Sequence, residues 1–269
     1  MAINERAANL KSNRKRICKV LLLVPPLKST KSPMLNLHLL QAVCRQVGVS
    51  SYVLYTNLVY SVITGPVIHN KLSDPFHMFG ENLFAAAAFD RPNVSGYMEK
   101  ILNYNWLSDF MGKTDPDMAK QFYKEIEPHF DWLYKIDWED LESRTFRWIQ
   151  SIAQRIASMG YPVVGCSTTL GGLIPAVALL NSIKKENPNI ITVLGGALCE
   201  GEMAEGILSL KVGIDYVFSG EGEITFPDFT RKVLAGNLPE GKIIYGESVM
   251  DLNTIPFPDY RDYLEQLEK

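Results

Sequence analysis

The feature that most constrains this chain is the regular alternation of apolar strands and helical segments in its second half. Predicted strands lie at residues 163–167, 191–196 and 215–220, and predicted helices follow at 173–186, 200–210 and 224–234. Parallel strands need a crossover of a dozen or more residues, which is usually a helix. The alternation therefore predicts a parallel sheet with helices on both faces.

The first half of the chain supplies the rest of the predicted sheet. Residues 19–24, KVLLLV, suit a strand buried on both faces, and residues 51–57 form the next strand. Between them, residues 34–47 carry apolar side chains at helical spacing and stop at Gly48, a good C-cap position. With an edge strand at 242–247, the pattern predicts an α/β fold: a flavodoxin-like (Rossmann-like) doubly wound parallel sheet with strand order 2-1-3-4-5.

Residues 58–138, between predicted strands 2 and 3, are predicted to form a helical insertion. Its predicted helices cover 81–89, 94–110 and 116–134, and a return helix follows at 139–159. An interval of about 80 residues is far longer than an ordinary crossover, which indicates a functional element or a cap. Its aromatic residues, with Trp148 of the return helix, are expected to form core rather than a cofactor box. They are Phe76, Phe79, Phe84, Phe89, Trp106, Phe110, Trp132 and Trp138.

The ends of the chain differ in character from this α/β domain, which is assigned to residues 19–250. Residues 1–18 are basic and polar and are predicted to form a flexible leader. Residues 251–269 are broken by prolines and then charged, and are predicted to be a linker rather than a packed end.

Composition disfavours several classes of protein. A formal net charge of -3 is unlike the basic patches of nucleic-acid-binding proteins. The four cysteines lack the spacing of a zinc or iron–sulfur site, no pair of histidines has zinc spacing, and reduced thiols are expected. No apolar run approaches the ~18 residues of a membrane span, so the sequence predicts a cytoplasmic protein without membrane or nucleic-acid partners.

The three strands of the second half each run into a small, glycine-rich loop. Ligands of open parallel sheets bind outside the carboxyl ends of the strands, where such loops lie. Glycine lets a ligand approach the backbone closely, and the following helix N-termini offer unpaired N–H groups. The surface therefore suits a large ligand rich in amides or phosphate, although glycine at any one loop can serve only a tight turn. Neither GxGxxG nor GxxxxGK[ST] is present.

Glu221 and Glu223 flank Gly222 just before a predicted helix and leave two interpretations open. They could form a catalytic carboxylate pair. Acidic residues at a helix N-terminus are also favoured by the helix dipole, and they could cap backbone amides or hold ligand hydroxyls. The second interpretation is preferred, and no catalytic residue is assigned.

Three stretches of the second half carry a family resemblance: CSTTLGGLIPAVALLNSIKKENPNIITVLGGALCEGEM, IDYVFSGEGEITFPDF and LNTIPFPDY. They resemble the cobalamin-binding domain that precedes the catalytic barrel of cobalamin-dependent radical SAM enzymes. PMLNLHLLQA and FGENLFAAAAF in the first half are similar to the branch that matures ribosomally made peptides (RiPPs), chiefly by C-methylation. The resemblance implies a cobalamin-binding module that carries methyl groups for a radical SAM C-methyltransferase, with a radical SAM domain or protein and a peptide substrate as partners.

Carried onto this chain, the resemblance also implies contacts to the nucleotide tail and corrin of cobalamin. The residues concerned are Pro26, Leu27, Ser167, Thr168, Thr169, Gly171, Gly172, Leu173, Gly195, Gly196, Cys199, Glu200, Gly220, Glu221 and Gly222. The DxHxxG motif, which supplies an axial histidine in the methionine-synthase type, is missing. Ligation of cobalt by that motif is therefore not expected.

The family's CxxxCxxC motif, which binds the [4Fe-4S] cluster that cleaves S-adenosylmethionine, is also missing from this sequence. Both cofactors are therefore expected in a missing or partner radical SAM domain, and the chain is not expected to be catalytic alone. Whether it is an excised domain or a natural subunit stays open. Three rival functions also remain: a regulatory sensor of cobalamin or a nucleotide, a transferase or hydrolase using Glu221 or Glu223, and a scaffold for the peptide.

Overall fold

The strands of the molecule form one parallel sheet. The computed structural model describes residues 19–74, 79–91, 98, 116–127 and 130–269. In this part of the chain the sheet has six strands in the order β2-β1-β3-β4-β5-β6, all parallel. They are β1 (Val20–Val24), β2 (Ser51–Tyr55), β3 (Val163–Ser167), β4 (Ile191–Gly195), β5 (Tyr216–Ser219) and β6 (Ile243–Tyr245). The flavodoxin-like fold and its strand order are confirmed, and β6 extends the sheet beyond β5.

The helices connect these strands and cover the sheet on both sides. The α-helices are α1 (Leu35–Gln46), α2 (Thr56–Thr64), α3 (Pro66–Leu72), α4 (Ala85–Phe89), α5 (Pro116–Ile126), α6 (Phe130–Leu133), α7 (Trp138–Ser158), α8 (Leu173–Glu186), α9 (Glu202–Ser209), α10 (Thr225–Leu234) and α11 (Arg261–Leu267). Short 3-10 helices lie at Glu81–Phe84, Ala197–Cys199 and Leu252–Thr254.

Alternate residues of each strand feed two separate cores. In β1, Leu21 and Leu23 pack into the core on the side of α7, α8 and the insertion. Val20, Leu22 and Val24 pack into the core on the side of α1, α10 and α11. Successive side chains of a strand point to opposite faces, so a fully apolar strand is what a sheet covered on both sides requires.

The insertion is part of the first core. The ring of Tyr60 in α2 lies 5.2 Å from that of Phe84 and 4.9 Å from that of Trp148 in α7. The Tyr60 hydroxyl is hydrogen-bonded to Thr145 Oγ1 at 2.7 Å. Of the aromatic residues expected in the core, Phe79, Phe84, Trp132, Trp138 and Trp148 are buried, and Phe89 is half-buried. Phe76, Trp106 and Phe110 lie outside the described residues.

The structure differs from the sequence expectation after β2. The strand ends at Tyr55, and α2 begins at once, although residues 51–57 were expected to be extended. The Thr56 hydroxyl donates to the Val24 carbonyl, and Asn57 Nδ2 donates to the carbonyls of Lys28 and Ser29 at 3.2 and 3.0 Å. These contacts tie the turn to the loop after β1, so tertiary bonding overrides the local strand pattern. The sequence pattern predicted neither α2 nor α3.

Within the rest of the insertion, the predicted helix at 116–134 is two helices, α5 and α6. The predicted helix at 94–110, apart from Met98, and the leader at 1–18 lie outside the described residues. In the described chain, no helix is both long and apolar enough to cross a membrane.

The tail also differs from the expectation of an unpacked segment, because α11 packs along the edge strand β2. The Asp262 carboxylate accepts from Val53 N at 3.0 Å, Gln266 Oε1 accepts from Tyr55 N at 2.9 Å, and Gln266 Nε2 donates to Val53 O at 2.8 Å. An edge strand leaves backbone groups without a ladder partner. Asp262 and Gln266, one helical turn apart, supply those partners with their side chains. A linker toward a further domain stays a prediction.

Candidate functional site

A cavity of about 580 Å3 opens at the carboxyl edge of the sheet, on the side of α1 and α10. The ends of β3, β4 and β5 and the loops that follow them form one side. Asn36, Leu37 and Leu40 of α1 and Phe226 of α10 form the opposite wall. Ligands of doubly wound sheets bind at this edge, so the cavity is the candidate site.

The floor of the cavity owes its depth to Gly165 in the middle of β3. Leu22, Gly165 and Val193 lie side by side in register across β1, β3 and β4 and all line the cavity. A Cβ at Gly165 would lie 3.4 Å from Leu22 Cδ2 and 3.9 Å from Val193 Cβ, which is ordinary contact. A methyl group would therefore fit, but a larger side chain would occupy the cavity.

At two places in the rim of the cavity, the backbone of one loop lies so close to that of another that only glycine fits. Gly196 has φ +110°, and a Cβ there would collide with the Thr168 carbonyl oxygen. Gly246, after β6, packs against the Gly220–Glu221 peptide, and its Cβ would lie 2.5 Å from Glu221 N. Glycine alone fits these positions without strain, so the loops after β3, β4, β5 and β6 interlock into one rim.

The rim is polar and carries acidic side chains. Glu200, Glu221 and Glu223 line it, and the described lining residues include no lysine or arginine. Asn36 Nδ2 donates to Ser167 Oγ at 2.7 Å, which leaves the Ser167 hydroxyl proton available to a ligand. Glu221 Oε2 accepts from Val249 N at 3.1 Å and so fastens the loop after β6. Such a rim offers hydrogen-bond acceptors to the amide or hydroxyl groups of a ligand.

The structure brings together about half of the residues that the sequence resemblance assigned to the cofactor. Those that line the cavity are Ser167, Gly195, Gly196, Glu200, Gly220, Glu221 and Gly222. Thr168 lies buried behind Gly196 and is bonded through its N–H to Gly195 O at 2.7 Å. The other residues are not in the cavity wall: Pro26, Leu27, Thr169, Gly171, Gly172, Leu173 and Cys199.

Most of the residues outside the cavity wall share a second location, where the strand order reverses between β1 and β3. Lys28 directly follows Pro26 and Leu27 in the loop after β1. Its amine donates to Thr169 Oγ1 and to Leu170 O. A Cβ on Gly172 would lie 3.4 Å from Lys28 Cε. For the residues outside the cavity wall, the contacts to cobalamin that the resemblance implies stay predictions.

Sequence reasoning missed several lining residues. Those from α1 (Asn36, Leu37 and Leu40) lie within the PMLNLHLLQA stretch, which was noted only for its resemblance. Gly165 and Phe218 lie inside strands, and Phe226 lies inside a helix, where an apolar pattern indicates core. Gly246 and Ser248 follow the short edge strand β6. The glycine after that strand was the one local signal that could have found this part of the rim.

The cysteines and histidines of the described chain are buried within the fold. Cys44, Cys166 and Cys199 are free and buried, and burial raises the pKa of Cys44 and of Cys199 to about 12. His38 is buried between Gln41 and Tyr55, at 3.1 and 2.8 Å from their oxygens. His69 Nε2 lies 2.9 Å from the Pro26 carbonyl oxygen, so this nitrogen carries the proton. No group of three or more His, Cys, Asp or Glu within the described ranges is placed to hold a metal ion. His77 and His129 lie outside those ranges.

We expect His69 to make the fold sensitive to mild acid. Burial lowers the pKa of His69 below its ordinary value of 6.5. The unfolded chain therefore binds the proton first, and stability is lost as the pH falls below about 6.5. Gln can donate to Pro26 O in the same place but does not titrate. Urea unfolding of wild type and His69→Gln at pH 7.5 and 5.5 should show a larger loss in wild type, by at most about 1.4 kcal/mol, which is the free energy of one pH unit.

The comparison with His69→Gln isolates the histidine. Burial raises the pKa of Glu81, so the contribution of this group to stability increases as the pH falls, opposite to that of His69. Wild type and His69→Gln share this contribution, and it cancels in the comparison. Equal losses in wild type and His69→Gln would contradict the prediction.

Comparison with known families bears on the same part of the chain. Residues 134–230 match the family model of the B12 binding domain, a little more than a third of the sequence. The match includes β3, β4 and β5 with the cavity-lining loops that follow them, and it supports a cobalamin-binding domain there. β1, α1 and β2 lie outside the matched range. Searches of curated proteins and of solved structures returned no significant match.

Proposed function

We propose that the cavity binds the nucleotide tail of cobalamin, with the corrin ring lying against the loops of the rim. The observation that carries this proposal is the depth of the cavity at the carboxyl edge of the sheet. Gly165 leaves space between Leu22 and Val193, so a planar base can enter between the sheet and the helices α1 and α10. The family match over β3, β4 and β5 supports the same ligand.

The chemistry of the cavity fits this cofactor. Its floor and the facing wall are apolar, with Leu22 and Val193 below and Leu37 opposite, and suit an aromatic base. The carboxylates of the rim can accept from the primary amides of a corrin side chain. A nucleoside polyphosphate would meet Glu200, Glu221 and Glu223 with no cation among the described lining residues, which disfavours it. Among the described lining residues, the donors suited to an anion are therefore neutral: backbone N–H groups and hydroxyls such as that of Ser167.

Within this proposal the chain acts as a methyl carrier. When bound, cobalamin supplies a cobalt centre that can accept and release a methyl group, and the protein binds, orients and shields it. The Ser167 hydroxyl, whose oxygen accepts from Asn36 Nδ2, would be free to donate to a polar atom of the nucleotide tail. The interlocked glycines Gly196 and Gly246 fix the surface that the corrin would cover.

We further propose that a radical SAM domain or protein covers this edge and supplies S-adenosylmethionine and the [4Fe-4S] cluster, with a peptide as substrate. Exposed apolar side chains near the rim support a partner surface. Leu170, at the tip of the loop after β3, is 61% exposed, and Tyr245, which lines the cavity, is 67% exposed. Met250, two residues beyond Ser248 of the rim, is 95% exposed. Large exposed apolar side chains along one edge of the sheet suit an interaction surface.

Titration with hydroxocobalamin tests the proposed ligand. We expect the purified chain to retain about one corrin per chain after desalting, with a shifted visible spectrum that reports the axial ligand. ATP in excess should not displace it, because the described lining residues carry carboxylates and no lysine or arginine. Loss of all corrin absorbance on desalting would contradict the proposal, and so would displacement by ATP.

A second measurement tests the role as a carrier rather than a self-sufficient enzyme. We expect no turnover of a peptide by the isolated chain, and methyl transfer only with a radical SAM partner present. Turnover that requires Glu221 or Glu223 and no cobalamin would instead establish the rival carboxylate enzyme.

A further inference from the structure

Two charged side chains lie near enough to influence each other's pKa beside the cavity, where the strand order reverses between β1 and β3. Lys28 lies in the loop after β1, and Glu81 opens the 3-10 helix Glu81–Phe84 of the insertion. Glu81 is only 7% exposed. Burying a charge is costly unless it is paired and hydrogen-bonded. The groups around Glu81 and Lys28 must therefore stabilise these two charges.

Glu81 lies at the start of the helix that follows the loop after β3. The helix α8 begins at Leu173, and its N-cap, Gly172, has no side chain with which to accept a hydrogen bond. The 3-10 helix that Glu81 opens packs against α8, and the backbone N–H groups of Leu173 and Ile174 lower the pKa of the Glu81 carboxyl against the larger effect of its burial. A carboxylate at a helix N-terminus satisfies unpaired donors and interacts favourably with the helix dipole. The insertion therefore provides the cap that the local sequence lacks.

Lys28 holds the same loop from its other side. Its amine donates to Thr169 Oγ1 and, at 3.1 Å, to the Leu170 carbonyl. Burial lowers the pKa of Lys28, and the charge of Glu81 acts in the opposite direction. Asn57 Nδ2 in turn donates to the Lys28 carbonyl at 3.2 Å, which anchors the backbone that carries the amine. The loop 168–172 is thus held between Lys28 and Glu81.

Close packing leaves little freedom for this arrangement. A Cβ on Gly80, next to Glu81, would lie 2.5 Å from Leu72 O and 2.7 Å from Leu27 Cδ1. The insertion therefore approaches the loop after β1 as closely as a bare backbone allows. The position of Glu81 is set by this approach.

The loop that they hold supports the rim of the cavity. Thr168, its first residue, donates through its N–H to Gly195 O at 2.7 Å. Gly196 packs directly against the Thr168 backbone, and both Gly195 and Gly196 line the cavity. A shift of the loop would therefore move the part of the rim that faces the ligand.

We propose that Lys28 and Glu81 are positioning residues that hold the loop 168–172 in the conformation required for cofactor binding, and that this is one role of the insertion. The inference rests on the proposed binding of cobalamin. Neither residue lines the cavity, so both act through the loop.

Three substitutions test this inference: Glu81→Ala removes the cap, Lys28→Met removes the amine at similar length, and Glu81→Gln retains an acceptor oxygen. Equilibrium dialysis gives the Kd for hydroxocobalamin, and visible circular dichroism reports the surroundings of the bound corrin. We expect Glu81→Ala and Lys28→Met to weaken binding at least about tenfold and to alter the dichroism. Glu81→Gln should recover most of the affinity, because a neutral amide oxygen still accepts from a backbone N–H. Lys31 is exposed and lies with Lys28 in the loop after β1, so Lys31→Met is the control for loss of a positive charge. This variant should bind cobalamin normally.

The outcomes separate the inference from the function on which it rests. If wild type retains cobalamin and both Glu81→Ala and Lys28→Met bind it with wild-type affinity and dichroism, the positioning role is overturned. If wild type itself does not retain cobalamin, the proposed function fails and the inference fails with it. Should Glu81→Ala prove unfolded by far-ultraviolet circular dichroism, Lys28→Met decides.

Discussion

Replacing Gly165 by leucine is expected to abolish cobalamin retention without unfolding the protein. The leucine side chain would extend from the floor, between Leu22 and Val193, into the space proposed for the nucleotide tail. We expect at least a hundredfold loss of affinity in equilibrium dialysis. The free energy of urea unfolding should stay the same or rise, because the side chain fills a cavity and glycine is unfavourable inside a strand.

Gly165→Ala is the matched control for this substitution. The methyl group meets its neighbours at ordinary contact distances, so most of the affinity should remain. A Gly165→Leu protein that is folded and still binds cobalamin at wild-type affinity would place the tail elsewhere. Loss of binding together with loss of the folded state would contradict the assignment of free space above Gly165.

Replacing Tyr263 by alanine is expected to destabilise the fold by about 3 kcal/mol, a typical cost of truncating a large buried aromatic side chain. Tyr263 in α11 is 5% exposed. Its ring lies 5.0 Å from that of Tyr55, and its hydroxyl donates to Thr30 O at 2.9 Å. Urea unfolding monitored by circular dichroism measures the change.

Leu264→Ala is the control in the same helix, because Leu264 is 54% exposed. We expect this substitution to change the free energy of unfolding by less than about 0.5 kcal/mol, as surface substitutions usually do. Similar small effects for both variants would show that α11 contributes little to the fold. A large effect of Tyr263→Ala alone would establish the tail as part of the domain.

The parallel sheet could be predicted closely because its strands are buried on both faces. In β1 and β3 the apolar run is itself the signature of that burial, and the predicted bounds of β3 and α8 agree with the structure. The candidate site could be predicted only in part. Glycine-rich loops after β3, β4 and β5 predict the edge of the sheet at which the cavity lies, but a loop does not reveal which of its residues line that cavity.

The periodicity of apolar residues is enough to predict the α/β class, the doubly wound pattern gives the strand order, and the glycine-rich loops predict the edge of the sheet where the cavity lies. Contacts between distant parts of the chain set the rest. They place α1 against the cavity, leave the space above Gly165, bring Glu81 to the start of α8 although it precedes Leu173 by 92 positions, and lay the tail over β2. The physical reason is that burial patterns are local and repeat along the chain. Hydrogen bonds between distant side chains and backbone groups, and the space left by a missing side chain, depend on which elements become neighbours.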